Sequence, residues 1–199
     1  VKNCRFENVG FGVWTEYAGS SDFYIADNLF LGRDDRFRLI GWGGRQRTPD
    51  GPSWPDKLYG SHLLTSYYAV KVYGPGHVIA QHSVAYFHDA ISISTDGTPE
   101  QVPDRQSSAI DIYNNDLHLL NDDFVETDGG VHNIRVFNNR GVNAAKGGYS
   151  AQPMFGGPAY FCRNLLYHVP SGVAFKFSAK AAGLFVYHNT IIGENLIGD

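Results

Sequence analysis

A short apolar stretch ending in asparagine returns again and again along this chain. The segments are Val1-Lys-Asn-Cys4, Ile25-Ala-Asp-Asn28, Ile79-Ala-Gln-His82, Ile112-Tyr-Asn-Asn115, Val136-Phe-Asn-Asn139, Phe161-Cys-Arg-Asn164 and Val186-Tyr-His-Asn189. The closing residue is Asn in five of them, Cys in one and His in one, at spacings of 24, 54, 33, 24, 25 and 25 residues. Two positions further on stand Phe6, Phe30, Val84, Leu117, Gly141, Leu166 and Ile191, apolar in all but one. Nine positions on come Val13, Ile91, Phe124 and Val173, and eleven on come Thr15, Ile93, Glu126 and Phe175. Period-2 alternation inside a segment marks strands, while a period of about 24 residues between segments marks a stack of equivalent units. One such unit cannot bury its apolar side alone; stacked units enclose a continuous core. The chain therefore reads as an all-β solenoid of about seven partial coils. An Asn at the same corner of successive coils passes amide hydrogen bonds along the stack and tolerates left-handed backbone, so the Asn column is structural.

Composition agrees. The chain of 199 residues has 23 Gly, 12 Tyr and 13 Phe with only 18% charged residues, as many short strands and tight turns require. A net charge of -4 supplies no basic footprint for nucleic acid. No apolar run approaches the roughly 18 to 20 residues that a membrane-crossing helix needs. Cys4 and Cys162 fall five coils apart, roughly 24 Å at about 4.8 Å per coil, too far to be bridged. The remaining histidines have no zinc-like spacing.

Two spacings exceed the regular one, and the excess places insertions at about 41–68 and 96–108 within a single domain, 1–199. Solenoids carry insertions as loops on one face, often the binding face. The first strand of the second coil is either Phe37 to Ile40 or Ala69 to Tyr73; the second is preferred, with Lys71 pointing outward on the same sheet as Ser92 and Lys176. The repeat begins at Val1 and ends near Asp199 with no polar cap, so further chain or a partner is expected to cover each end of the stack.

Seven positions after the recurring Asn, at the corner leading into the first strand, the column reads Phe11, Asp35, Asp89, Asp122, Lys146 and Ser171. Coils about 4.8 Å apart would set Asp89, Asp122 and Lys146 in a line, with His88 and Asp123 beside them. Like charges so close demand a cation, a shared proton or Lys146. Glu126 conflicts with this phasing, because its column points inward and a buried carboxylate needs a partner. Either a bulge turns it out beside Asp128, or it is a structural acid bonded to Ser150 or Gln152; the structural role is preferred, with Asp128 as a turn residue. Arg33, Arg36, Arg38, Arg45 and Arg47 lie near Trp42 and Trp54, a combination suited to reading carboxylates and stacking on sugar faces.

The columns resemble the right-handed parallel β-helix of the pectin-lyase-like proteins, with three strands per coil and an asparagine ladder between the second and third. The resemblance spans the chain and implies a carbohydrate-active protein, secreted or periplasmic, acting on a polysaccharide. For the lyases of that fold it implies calcium held by Asp89, Asp122 and Asp123, and a lysine base that removes the acidified α-proton of a uronate. Lys146, then Lys71, then Lys176 are the candidates, and His88 joins the catalytic set. Lys71, Lys176, Arg38, Arg45, Trp42 and Trp54 would bind substrate. For the hydrolases it implies paired aspartates, Asp89 with Asp122 or Asp123, although their Gly-His-Gly and Arg-Ile-Lys signatures are absent. The expectation is a lyase cleaving an anionic polysaccharide by calcium-assisted β-elimination; a glycoside hydrolase and a non-catalytic, adhesin-like β-helix are the alternatives.

Overall fold

The computed structural model describes residues 1–17, 19–34, 66–95, 97–144, 146–169, 173–178 and 181–193. Its strands form three parallel sheets that repeat in strict rotation along the chain. The first sheet contains β2 (Phe11–Trp14), β5 (Tyr68–Lys71), β8 (Asp89–Ser92), β11 (Val125–Glu126), β14 (Gly147–Ala151) and β17 (Val173–Phe177). The second contains β3 (Tyr24–Ala26), β6 (Val78–Ala80), β9 (Ser108–Tyr113), β12 (His132–Phe137), β15 (Ala159–Cys162) and β18 (Leu184–Tyr187). The third contains β1 (Arg5–Glu7), β4 (Leu29–Leu31), β7 (Ser83–Ala85), β10 (Asp116–Leu120), β13 (Arg140–Ala144), β16 (Leu165–Tyr167) and β19 (Thr190–Ile192). Each coil contributes one strand to each sheet, and the chain is a right-handed parallel β-helix.

The asparagine column lies at the turn from the second sheet to the third. Asn139 Oδ1 accepts the backbone N–H of Asn115 at 3.0 Å and its side-chain amide at 2.9 Å. Asn164 and Asn189 repeat the arrangement one and two coils on. Each amide of this run also donates to a carbonyl of the preceding coil, as Asn139 does to Ile112 at 2.9 Å. His82 substitutes for Asn: its Nδ1 accepts the Asn28 N–H at 3.1 Å, and burial lowers its pKa to about 4, which keeps the ring neutral. The left-handed residue is not the ladder residue but the one before it. Asn3, Asp27, Gln81, Asn114, Asn138, Arg163 and His188 all have φ between 54° and 60°. The tight turn is thus made by that residue, and the ladder side chain then points inward to satisfy backbone donors that would otherwise be buried and unpaired.

The column two positions beyond the ladder runs in register from Phe6 through Phe30, Val84, Leu117, Gly141 and Leu166 to Ile191. Gly141, its one exception, leaves room for the Phe124 ring, whose Cδ2 would lie 2.4 Å from a Cβ there. The second sheet adds Ile25, Ile79, Ile112, Val136 and Phe161 to the same core.

The first sheet is phased differently from the expectation. Val13, Val70, Ile91, Val125, Tyr149 and Phe175 are in register and belong to or pack on the core. The corner before this sheet lengthens along the solenoid: Val13 and Ile91 follow their ladder residues by nine positions, Val125 and Tyr149 by ten, Phe175 by eleven. A slip of one residue transfers side chains to the other face of a strand, so Glu126 leaves the inward column. The second coil enters the sheet at Tyr68–Lys71, as preferred from the sequence. Tyr68 is therefore already strand, and Ser108 opens β9, so both fall outside the insertions proper. Residues 97–106 of the second insertion carry a short 3-10 helix, Pro103–Arg105. Cys4 and Cys162 are both free.

Candidate functional site

The residue after the core column on each first-sheet strand forms a second row: Trp14, Lys71, Ser92, Glu126, Ser150 and Lys176. This row faces away from the core, since Trp14 is 53% exposed and Glu126 opens onto a surface cleft. Lys71, Ser92 and Lys176 share it, as the alternation required. Lys71 Nζ donates to the Ser94 carbonyl at 2.6 Å and to Ser92 Oγ at 3.1 Å, and Ser92 Oγ donates to Glu126 Oε2 at 2.6 Å. The partners anticipated for Glu126 belong instead to Asp128, whose Oδ1 accepts from Ser150 Oγ at 2.6 Å and from the Gln152 N–H at 2.7 Å.

The aspartate corner is also shifted by one. Asp122 N donates to the His88 carbonyl and Gly147 N to that of Asp122, so His88, Asp122 and Lys146 follow one another up the stack. Asp89, Asp123 and Gly147 form the adjacent line, with Asp89 Oδ1 accepting the Asp123 N–H at 3.0 Å. The expected line of Asp89, Asp122 and Lys146 is replaced by these two, because the corner entering the fourth coil has one more residue than the corner entering the third. Lys176 crosses from the last described coil of the sheet and reaches both acids, 2.9 Å from Asp122 Oδ1 and 2.7 Å from Asp123 Oδ2. Its path runs over Gly147, where a Cβ would stand 2.1 Å from Asp123 Oδ1 and 2.8 Å from Lys176 Cε. Lys146 is the weaker cation here, 42% exposed and 3.5 Å from Asp122 Oδ2.

Burial, reinforced by Asp122, pushes the Asp89 carboxyl above the usual range, and burial with Asp122 and Asp89 does the same to Asp123. Burial pulls the Lys176 ammonium the other way, but Asp123 and Asp122 outweigh it and hold that lysine above its ordinary value. His88 Nδ1 lies 2.7 Å from Asp89 Oδ2, and its ring stacks on Tyr67 at 4.8 Å.

Among the described residues, one set with metal-ligand potential stands close together: atoms of His88, Asp89 and Asp122 lie within 4.8 Å of one another. Calcium takes six to eight oxygen ligands. Here both Asp122 oxygens face lysines, both Asp89 oxygens meet hydrogen-bond partners, and Asp123 Oδ2 meets Lys176, while Asp123 Oδ1 is buried without a hydrogen-bond partner. In this arrangement the corner already carries its own cation and does not fit calcium.

A cleft of about 430 Å³ opens beside the polar row, within the size range of small-ligand sites. Glu126, Asp128, Ser94 and Gln152 line it together with Thr98 and Gln101 of the second insertion. Pro153 and Phe155 supply apolar wall. Burial, then the nearby Asp89 charge, raises the Glu126 carboxyl to about 8, against the pull of Lys71 and Ser92. Burial also raises Asp128, opposed by its bonds from Ser150 and Gln152.

No family model, curated protein or solved structure matches the chain. The site is therefore defined by its own geometry. His88, Asp89, Asp122, Asp123, Lys146 and Lys176 come together at the corner, while Lys71 stands further along the sheet beneath Glu126. Arg38, Arg45, Trp42 and Trp54 lie outside the described residues, as do Asp35, Arg36 and Arg47. Glu126 and Asp128 were read from the sequence as structural acid and turn residue, and Asp128 does lie in the turn after β11; the signal that could have raised them was two acids two residues apart beside an insertion.

Proposed function

We propose that this protein is a polysaccharide-active glycoside hydrolase, with Glu126 as general acid and Asp128 as general base. One observation carries the reading: the two carboxyl groups line a single cleft, both raised by burial, with Asp128 alone also accepting a backbone N–H that opposes the rise. A glycosidase needs one carboxyl group kept protonated near neutrality and another able to ionise. Burial supports the first role for Glu126. The Ser150 hydroxyl and Gln152 N–H, which stabilise the charged form, support the second for Asp128.

Placement supports the same division. Glu126 ends β11 and Asp128 lies in the turn that follows it. Ser92 draws Glu126 toward the preceding coil while Ser150 draws Asp128 toward the following one, which favours an arrangement with a water between the two carboxyl groups. Cleavage would then proceed in one displacement. Glu126 gives its proton to the glycosidic oxygen as the anomeric C–O bond breaks. Water oxygen bonds to the anomeric carbon, and its proton passes to Asp128. Solvent exchange returns both groups to their starting states.

Elimination draws less support from the lysines. Lys176 is held protonated by Asp122 and Asp123, and Lys71 is engaged as a donor to Ser94 and Ser92. The hydrolase reading includes the family resemblance and a secreted or periplasmic location as parts of the same proposal.

The deciding assay incubates the protein with a panel of polysaccharides and follows reducing ends together with ultraviolet absorbance, with and without chelator. Reducing ends without absorbance, unaffected by chelator, are the expected result. Chelator-sensitive absorbance would instead establish calcium-assisted elimination at Asp89, Asp122 and Asp123. Binding without cleavage would establish the scaffold reading.

A further inference from the structure

We infer that the cleft over Glu126 and Asp128 takes an uncharged sugar residue and selects against a uronate. The inference rests on that cleft being the glycan site and adds the class of sugar it holds. Among the described residues, the cleft lining contains two carboxyl groups and no lysine, arginine or histidine. Its other polar groups are neutral: Ser94, Thr98, Gln101 and Gln152 offer hydroxyl and amide groups that donate and accept. Sugar hydroxyls present the complementary mixture. A sugar carboxylate would instead stand against Asp128 with no cation in the lining to receive it, and like charges in a partly desolvated site repel.

The nearby cations lie outside the lining and are engaged by other groups. Lys176 is bound between Asp122 and Asp123 at the corner. Lys71 directs its ammonium to the Ser94 carbonyl and Ser92 Oγ. Arg105 lies over the Tyr73 ring, 4.9 Å from its centroid. Pro153 and Phe155 give the apolar face of a pyranose a surface to cover, which an uncharged sugar uses without desolvating a carboxylate.

The test measures binding by calorimetry to the full chain, wild type and E126Q, with the second variant preventing turnover. The probes are neutral hexasaccharides of xylose, glucose, galactose and arabinose, and hexamers of galacturonate, guluronate and mannuronate. At least one neutral hexamer is expected to bind about tenfold or more tightly than every uronate hexamer, with little dependence on salt. Gln152→Lys, which places a cation in the lining, should shift the preference toward uronates by a similar factor. Equal or tighter binding of a uronate hexamer to the wild type overturns the inference, even if the protein proves to be a hydrolase. Binding of none of the probes overturns it as well. Neutral binding by a protein that cleaves nothing supports this inference while removing the hydrolase reading, so the two fail separately.

Discussion

Replacing Glu126 with glutamine removes a proton donor while keeping its size and its hydrogen bond from Ser92. On substrates the wild type cleaves, kcat for E126Q should fall about 100- to 10,000-fold, the usual share of a general acid. D128N should fall comparably, with the unfolding midpoint of each variant, measured near pH 5 where the raised carboxyl groups hold their protons, remaining near that of the wild type. Retention of wild-type kcat by either variant would remove that residue from the mechanism. At this scale the acidic residues were visible in the sequence, but their environments were not. Ser150 and Gln152 were read as partners of Glu126, yet they serve Asp128, because a single extra corner residue turns Glu126 outward. Lys176 was ranked behind Lys146 for a similar reason: a residue two coils away reaches Asp122 and Asp123 only because Gly147 has no side chain in its path.

At the scale of the strands, the ladder and the third sheet were legible because their corner has constant length. One left-handed residue always precedes the ladder position, so every coil leaves that turn in the same phase. The corner before the first sheet varies from coil to coil, and no residue type marks where its extra residues lie. Gly141 illustrates what a column pattern conceals. It looked like a defect in an apolar column, whereas Phe124 from the neighbouring corner fills the space above it. Gly141→Ala should therefore destabilise, despite the general preference for alanine over glycine in regular structure, by about 1 to 3 kcal/mol as overpacking does. Denaturant unfolding checks this, and a stabilised variant would show that the Phe124 ring can move aside.

Across the whole molecule, the buried acids couple folding to pH. Glu126 rises from 4.5 to about 8 on folding, and Asp89, Asp123 and Asp128 rise as well. The folded state therefore holds more protons than the unfolded chain over that interval. The contribution of Glu126 is complete below about 4.5 and is lost as pH climbs through about 8. Unfolding midpoints measured from pH 5 to pH 8 should decline, and E126Q should flatten the slope. A midpoint that rises for the wild type relative to E126Q would reverse the sign of this linkage. The overall architecture was available from the repeat because stacking requires every coil to match its neighbours, whereas the cleft depends on the second insertion and on which face each acid meets.

The hydrolase reading depends on Glu126 carrying a proton near neutrality. The most direct measurement is a carbon-13 NMR titration of glutamate carboxyl groups, with the Glu126 signal assigned by its loss in E126Q. A midpoint near pH 8 is the predicted result. A midpoint near the ordinary glutamate value of about 4.3 would mean that Glu126 is ionised when substrate arrives, contradicting its role as the acid.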